Sequence, residues 1–180
     1  MITLRLATSR DAPAIQAIYA PIVAQTIISF EREPPSVEDI AQRISTTLQQ
    51  YAWLVACDDD HVIGYAYASQ HNVRWAYQWA CNVSVYVDHA WRGRSVGRNL
   101  YLHLLDVCRR QGYMTACAGI SLPNPASVGL HESLGFQPIG IYRQVGYKFG
   151  AWHDVGWWQC DLQNRPAQPK PPIPISMLDQ

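Results

Sequence analysis

"NVSVYVDHAWRGRSVGRNLYLHLL", residues Asn82 to Leu105, carries three signals in a row: an alternating apolar run, a glycine-bearing arginine loop and an amphipathic helix pattern. Val83, Val85 and Val87 alternate with Ser84 and Tyr86, which predicts a strand with one buried face and one facing something more polar. After the loop, Val96, Leu100, Leu104 and Cys108 fall on one stripe of a helix, Arg109 and Arg110 occupy its last turn, and Gly112 ends it. Between strand and helix stands "RGRSVG". Free backbone N–H groups at a helix start, aligned with the positive end of the dipole, make an anion site, and Gly93 and Gly97 would let a phosphate approach the backbone. The loop has neither the Gly-Lys-Ser/Thr of a Walker sequence nor the glycine spacing of a dinucleotide fingerprint. Its plain alternative is a solvated turn.

Outward from this segment, strand and helix signals alternate. "ITLRLA" reads as a strand, and "DAPAIQAIYAPIV" as a helix capped by Ser9 or Asp11, with Ile15, Ile18, Tyr19 and Ile22 on one face. A second helix follows Ser36, with Asp39 completing a near capping box and Ile40, Ile44 and Leu48 on its buried side. "AWLVACDDDHVIGYAYASQ" predicts a hairpin around an Asp-rich turn, and "TACAGISL", "PIGIYRQVGYKF" and "DVGWWQCDL" predict further strands. Local hairpins joined to strand-helix units imply a mixed α+β sheet. Residues 1–164 are expected to form a single domain, and 165–180 a proline-rich tail that is disordered or laid in extended form over a surface.

Composition narrows the function classes. At 180 residues with 48% apolar and 16% charged residues, the chain suits one core of ordinary size. Fourteen basic and fourteen acidic residues cancel, so no global field favours nucleic acid, and any anion site is local. Five scattered cysteines without a C-x-x-C pair read as reduced core residues, six histidines show no metal-ligand spacing, and neither a signal peptide nor a membrane span is evident. A cytoplasmic protein with no metal, no nucleic acid and no membrane partner is the expectation. His153 and Asp154 are neighbours on a strand and point to opposite faces, and no cysteine lies in a nucleophile-elbow context, so a hydrolase triad is disfavoured.

"LPNPASVGLHESLGF" holds the second constellation. Asn124 is a natural N-cap with Pro125 at the first helical position, Ser127 and His131 share a face, and Gly135 closes the turn. Asn124, Ser127 and His131 can therefore address one extended ligand, although an ordinary capped helix with a satisfied histidine has the same pattern.

Together these stretches, with "IYAPIV", "SFE", "GYAYAS", "AYQW", "QVGYK" and "AWHDVGWW", resemble the GNAT acetyltransferase family over nearly the whole chain, in particular its phosphinothricin, methionine sulfoximine and arsinothricin N-acetyltransferase branch. The resemblance implies the GNAT fold: an α+β, mostly antiparallel central sheet with two splayed parallel strands, flanked by helices. It also implies acetyl-CoA as co-substrate, a small-molecule amine as acceptor and a homodimer. By that resemblance Val85, Tyr86 and Val87 would meet the pantetheine arm, and Arg92, Gly93, Arg94, Ser95, Val96, Gly97 and Arg98 would hold the pyrophosphate. Asn124 and Ser127 would contact the pantetheine or adenine side, and His131 would lie beside the cofactor sulfur. Phe30, Glu31, Asn72, Arg74, Tyr77, Val83 and Ser84, with Trp79 nearby, are the candidate acceptor pocket.

Three positions depart from the family pattern. Ser95 stands where a glycine is usual, so a positive φ there would cost affinity. Asn72 replaces one of a basic pair, leaving Arg74. Asn82 occupies the place of a glutamate that orients or deprotonates the amine, and an amide cannot take a proton. The expected mechanism is direct transfer from acetyl-CoA to a neutral amine, helped by the backbone near Val85 and by His131 or a water at the leaving thiolate. Its alternative is an acyl-CoA-binding regulatory protein that lost catalysis at Asn82.

Overall fold

Seven strands pair in the order β1-β2-β3-β4-β5-β7-β6 in the computed structural model, which describes residues 2–178. The strands are β1 (Ile2–Leu6), β2 (Trp53–Asp58), β3 (His61–Gln70), β4 (Ala80–Val87), β5 (Thr115–Leu122), β6 (Gln137–Lys148) and β7 (Ala151–Asp161). Every pairing is antiparallel except β4 with β5. That parallel pair is short: Ala80, Cys81 and Asn82 meet Thr115, Ala116 and Cys117, and beyond them the strands separate. This is the mixed, splayed sheet that the sequence led us to expect.

Helices cover both faces. Ile15, Ile18, Tyr19, Ile22 and Val23 of α1 (Ala12–Gln25) and Ile40 and Ile44 of α2 (Val37–Thr47) pack with Trp53, Val55 and Tyr65 on one face. On the other, α3 (Val96–Gln111) lays Val96, Leu100, Leu104 and Cys108 against Leu54, Ala66, Val83 and Ala118, and α4 (Pro125–Ser133) adds Val128 and Leu130. The capping box at Ser36 is formed, with Ser36 Oγ accepting from the Asp39 N–H at 3.0 Å. α3 ends at Gly112 with φ +100, a left-handed conformation that glycine adopts without penalty.

One expectation changes in detail, and one of the two forms open to the tail is selected. The face of β4 that carries Ser84 and Tyr86 is not polar along its length. Tyr86 packs edge-on against Tyr19 at 5.0 Å and beside Tyr65 at 5.2 Å, so only the Asn82–Ser84 end keeps a polar face. The proline-rich tail is held in extended form: Trp79 Nε1 donates to the Lys170 carbonyl, and the Ile173 and Ile175 N–H groups donate to the carbonyls of Gln111 and Gln50. Ile175 is buried in the α3-side core.

Candidate active site

The separation of β4 and β5 opens a cleft through the sheet. Val83, Ser84, Val85 and Tyr86 form one wall, Ala118 to Ser121 the other, and Tyr101, Asn124, Ser127 and His131 close it on the helical side. The Asp88 N–H donates to the Ile63 carbonyl on the β3 side. By two-residue alternation the backbone groups of Val83, Val85 and Val87 then point the other way, into the space β5 vacates. A strand edge buried in this way needs a hydrogen-bonding guest, because unmatched backbone groups are costly to bury.

At the upper end of β4 the chain turns into α3. Ser95 is the N-cap, but its side chain makes no capping bond, so the first-turn N–H groups have no side-chain acceptor. Gly93 has φ +74 and Ser95 φ +62. The second is the strained case that the sequence left open, since a left-handed non-glycine residue costs about 1–2 kcal/mol. The three arginines are already engaged in part: Arg92 Nε donates to the Val87 carbonyl at 3.4 Å, Arg94 lies 5.0 Å over the Trp91 ring, and Arg98 donates to Ser133. Gly97 sits beside Val85 and Val87 of the strand end, where an added Cβ would meet Val87 at 3.4 Å, an ordinary contact. An uncapped helix start beside an unpaired strand edge fits a phosphate followed by an amide-bearing arm.

His131 is 3% exposed and its protonation is set by two neighbours. Nδ1 lies 2.7 Å from the Ser127 carbonyl, which can only accept, so Nδ1 carries the hydrogen and Nε2 accepts from the Tyr101 hydroxyl at 3.0 Å. Burial pushes the imidazole below its ordinary value of 6.5, keeping it neutral. His131 therefore offers no proton to the cleft through Nε2, contrary to the expected role at a leaving thiolate, and the one hydroxyl hydrogen of Tyr101 is committed to that same nitrogen, which leaves a water as the donor. Asn124 caps its own helix by accepting from the Ser127 N–H at 3.2 Å and still lines the cleft.

On the face toward α1 and α2 the cleft is walled by Ile28, Ser84, Gly119 and Ser121. The Trp157 ring lies over Gly119, where an added Cβ would meet it at 3.3 Å. Ser121 Oγ and Trp157 Nε1 are buried and have no hydrogen-bond partner among the described residues, and Ser121, which lines the cleft, remains free for a polar ligand. Asn82 lies two residues from Ser84 on this face, with Oδ1 2.8 Å from Nδ1 of His71. Phe30 packs beside His153, ring centroids 6.2 Å apart, and against Gly146.

Other candidates sit elsewhere. Glu31 is clamped by both Arg43 nitrogens at 2.7 and 2.9 Å and by the Tyr19 hydroxyl, and the guanidinium holds its carboxyl below the ordinary range. It is a structural anion and a poor base. Asn72 Oδ1 accepts from the Arg74 N–H at 3.1 Å, and both line a separate pocket with Gln50, Tyr113 and Pro172. Tyr77 borders that pocket and also packs 5.9 Å from His71. His153 Nε2 donates to the Lys148 carbonyl at 3.0 Å, whereas Asp154 accepts from the Gln144 N–H, so the two do not pair. Tyr101, Ser121, Ile28 and Trp157 were not singled out from the sequence as site residues. Ser121 had a signal, since it alternates with the buried Ala118 and Ile120; Tyr101 had none beyond standing next to Leu100 in the helix stripe.

A family model described as an acetyltransferase (GNAT) domain matches residues 4–157. The chain is 37% identical over 177 residues to phosphinothricin N-acetyltransferase of Streptomyces viridochromogenes, covering 98% of this chain and 96% of that protein. It is 34% identical to the L-methionine sulfoximine/L-methionine sulfone acetyltransferase of Salmonella typhimurium, covering 92% of this chain and 98% of that one. The crystal structure of a phosphinothricin acetyltransferase from Sinorhizobium meliloti in complex with AcCoA superposes with a TM-score of 0.91 at 34% identity, covering 98% of this chain and 97% of that chain.

Proposed function

The chain belongs to the GNAT acetyltransferase family and is an acetyl-CoA-dependent N-acetyltransferase; from that premise we propose that its acceptor is the α-amine of a small amino-acid-like molecule of the phosphinothricin, methionine sulfoximine or arsinothricin type. The observation that carries this reading is the cleft itself. It joins an uncapped helix start and an unpaired strand edge on one side to a small, partly polar chamber on the other, lined by Ser84 and the unpartnered Ser121 Oγ.

In this reading the 93–98 segment, with Arg92, holds the pyrophosphate, and the backbone of Val85 and Val87 binds the pantetheine arm as a strand would, flanked by Asn124 and Ser127. Acetyl-CoA supplies an activated acetyl thioester. The residues and a water do the rest: Val85 N–H polarises the carbonyl, a water donates where the thiolate forms, and Ser84 and Ser121 orient the acceptor's acidic head. Phe30, packed beside His153, and Tyr77, on the neighbouring pocket, lie outside the cleft lining. Asn72 and Arg74, placed in their own pocket, act on the acceptor only if the loop carrying them closes over the cleft.

We place the enzyme in the cytoplasm, in keeping with its five free cysteines, and as a homodimer. The dimer reading is supported by the edge strand β6 and its turn, where Ile139, Tyr142, Tyr147 and Phe149, with Trp152 of β7, are exposed apolar side chains in one hairpin. Residues 165–178 are read as an appendage of the single domain.

The test is CoA release by the purified protein over phosphinothricin, methionine sulfone, methionine sulfoximine, arsinothricin, glutamate and simple amines. Turnover with the acidic-headed amino acids and little with simple amines is expected. A preference for simple amines would overturn the acceptor class.

A further inference from the structure

His71 follows the last residue of β3 and belongs to none of the motifs that carry the family resemblance. Its Nδ1 lies 2.8 Å from Asn82 Oδ1. On the other side of the same amide, Asn82 Nδ2 donates to the Gln70 carbonyl at 3.3 Å. That carbonyl can only accept, so it sets the amide with oxygen toward the imidazole. Nδ1 of His71 is consequently the donor, and the lone pair resides on Nε2, for which no hydrogen bond exists among the described residues.

The ring lies against residues that back the wall of the cleft. It is packed 5.9 Å from Tyr77 and edge-on to Trp157 at 6.3 Å. Trp157 covers Gly119, and Asn82 is two residues from Ser84; Gly119 and Ser84 both line the cleft. The groups facing the imidazole are thus Asn82 from β4, Tyr77 from the turn after β3 and Trp157 from β7, with Tyr77 the titratable one among them.

We propose that His71 accepts the proton of the acceptor's ammonium group and that Asn82 is the positioning residue that fixes its tautomer. The proposal rests on the acetyl-transfer reading above. One ammonium proton passes to His71 Nε2, directly or through one water. The freed nitrogen lone pair forms the N–C bond to the acetyl carbon, and the C–S bond breaks with its pair moving to sulfur. A second proton leaves the nitrogen for the thiolate, and His71 returns the first to solvent. A carboxylate at position 82 would favour the imidazolium, which cannot act as base, whereas a neutral amide orients the ring without that charge. Asparagine at 82 is therefore the partner a histidine base calls for, and the proton acceptor that the sequence had seemed to lack stands beside it.

The experiment is the pH profile of kcat/KM with the best amine of the panel, for wild type, His71→Gln and Asn82→Asp, alongside NMR titration of the wild-type imidazoles. Wild type should reach a plateau whose midpoint matches the titration of the His71 ring. His71→Gln should lose about 10²-fold near neutrality, lose the plateau, climb toward the amine's own pKa, and keep its KM for acetyl-CoA. Asn82→Asp should move the acid limb to higher pH by stabilising the imidazolium, and it carries the test alone should His71→Gln fail to fold. An unchanged profile in His71→Gln, or an unmoved acid limb in Asn82→Asp, overturns the proposal while acetyl transfer stands. No CoA release by wild type with any amine overturns the acetyl-transfer reading and this proposal with it.

Discussion

Tyr101 donates its hydroxyl hydrogen to Nε2 of His131 across 3.0 Å within the cleft, and the direction of that bond is dictated from the far side of the ring, where Nδ1 donates to the Ser127 carbonyl. The phenol comes from α3 and the imidazole from α4, so the bond also ties the two helices that close the cleft. Burial raises the Tyr101 phenol well above its ordinary range, which keeps its proton in place.

Removing that hydroxyl should separate stability from chemistry. Tyr101→Phe strands a buried acceptor on His131, which costs about 1–3 kcal/mol of folding stability, read by denaturant unfolding. Because the hydroxyl hydrogen is committed to His131, we expect kcat to change by less than about threefold, far from the roughly 10²–10³-fold loss typical of an oxyanion donor. The KM for acetyl-CoA should change little, and a loss of kcat of about 10²-fold or more would place the hydroxyl in the reaction.

His131 makes stability depend on pH with a definite sign. Its pKa in the folded protein lies below the ordinary 6.5, so the unfolded chain binds a proton in a range where the native protein does not. The contribution is complete above the unfolded value and is lost as pH falls toward the lowered folded one. Unfolding measured across mildly acid pH should show wild type losing stability, and His131→Gln, whose side chain does not titrate, should flatten that part of the curve.

Ser95 is held at φ +62, and glycine would adopt that conformation freely. Ser95→Gly should therefore stabilise the protein by up to about 1 kcal/mol, the left-handed strain less glycine's extra unfolded entropy, read as a rise in Tm. It should also lower the KM for acetyl-CoA by clearing a Cβ from the loop proposed to hold the pyrophosphate. A higher KM would mean that the serine side chain itself contacts the ligand.

Tyr147 and Trp152 pair across the β6–β7 turn with ring centroids 5.2 Å apart, and both are more than 60% exposed, at 62% and 61%. If that hairpin is the dimer contact, Tyr147→Glu with Trp152→Glu should yield a monomer by light scattering. The monomer's Tm should be close to that of diluted wild type, because neither ring is part of the core. A wild type that is monomeric throughout would remove the homodimer from the proposed function.

Much of this was written in local patterns. The alternation at Val83, Val85 and Val87, the stripe from Val96 to Cys108, the capping box at Ser36 and the Asn124–Pro125 start of α4 each depend on a side-chain period or on a neighbour three residues away, so a linear reading recovers them. The same reading located the helix start that faces the splayed strands. Only the tertiary structure decided which way a hydrogen bond runs and which groups meet across the sheet. His131 could be read as a donor until Tyr101, thirty residues away, was found on its Nε2. Glu31 could pass for a free base until Arg43 closed on it, and Ser95 kept an open φ until the loop was built between β4 and α3. Asn82 in isolation reads as a lost base, because an amide cannot take a proton. Beside His71, brought to it by the antiparallel pairing of β3 with β4, the same amide becomes an orienting acceptor. Protonation and tautomer are properties of a pair of groups at hydrogen-bond distance, and the sequence states neither the distance nor the partner.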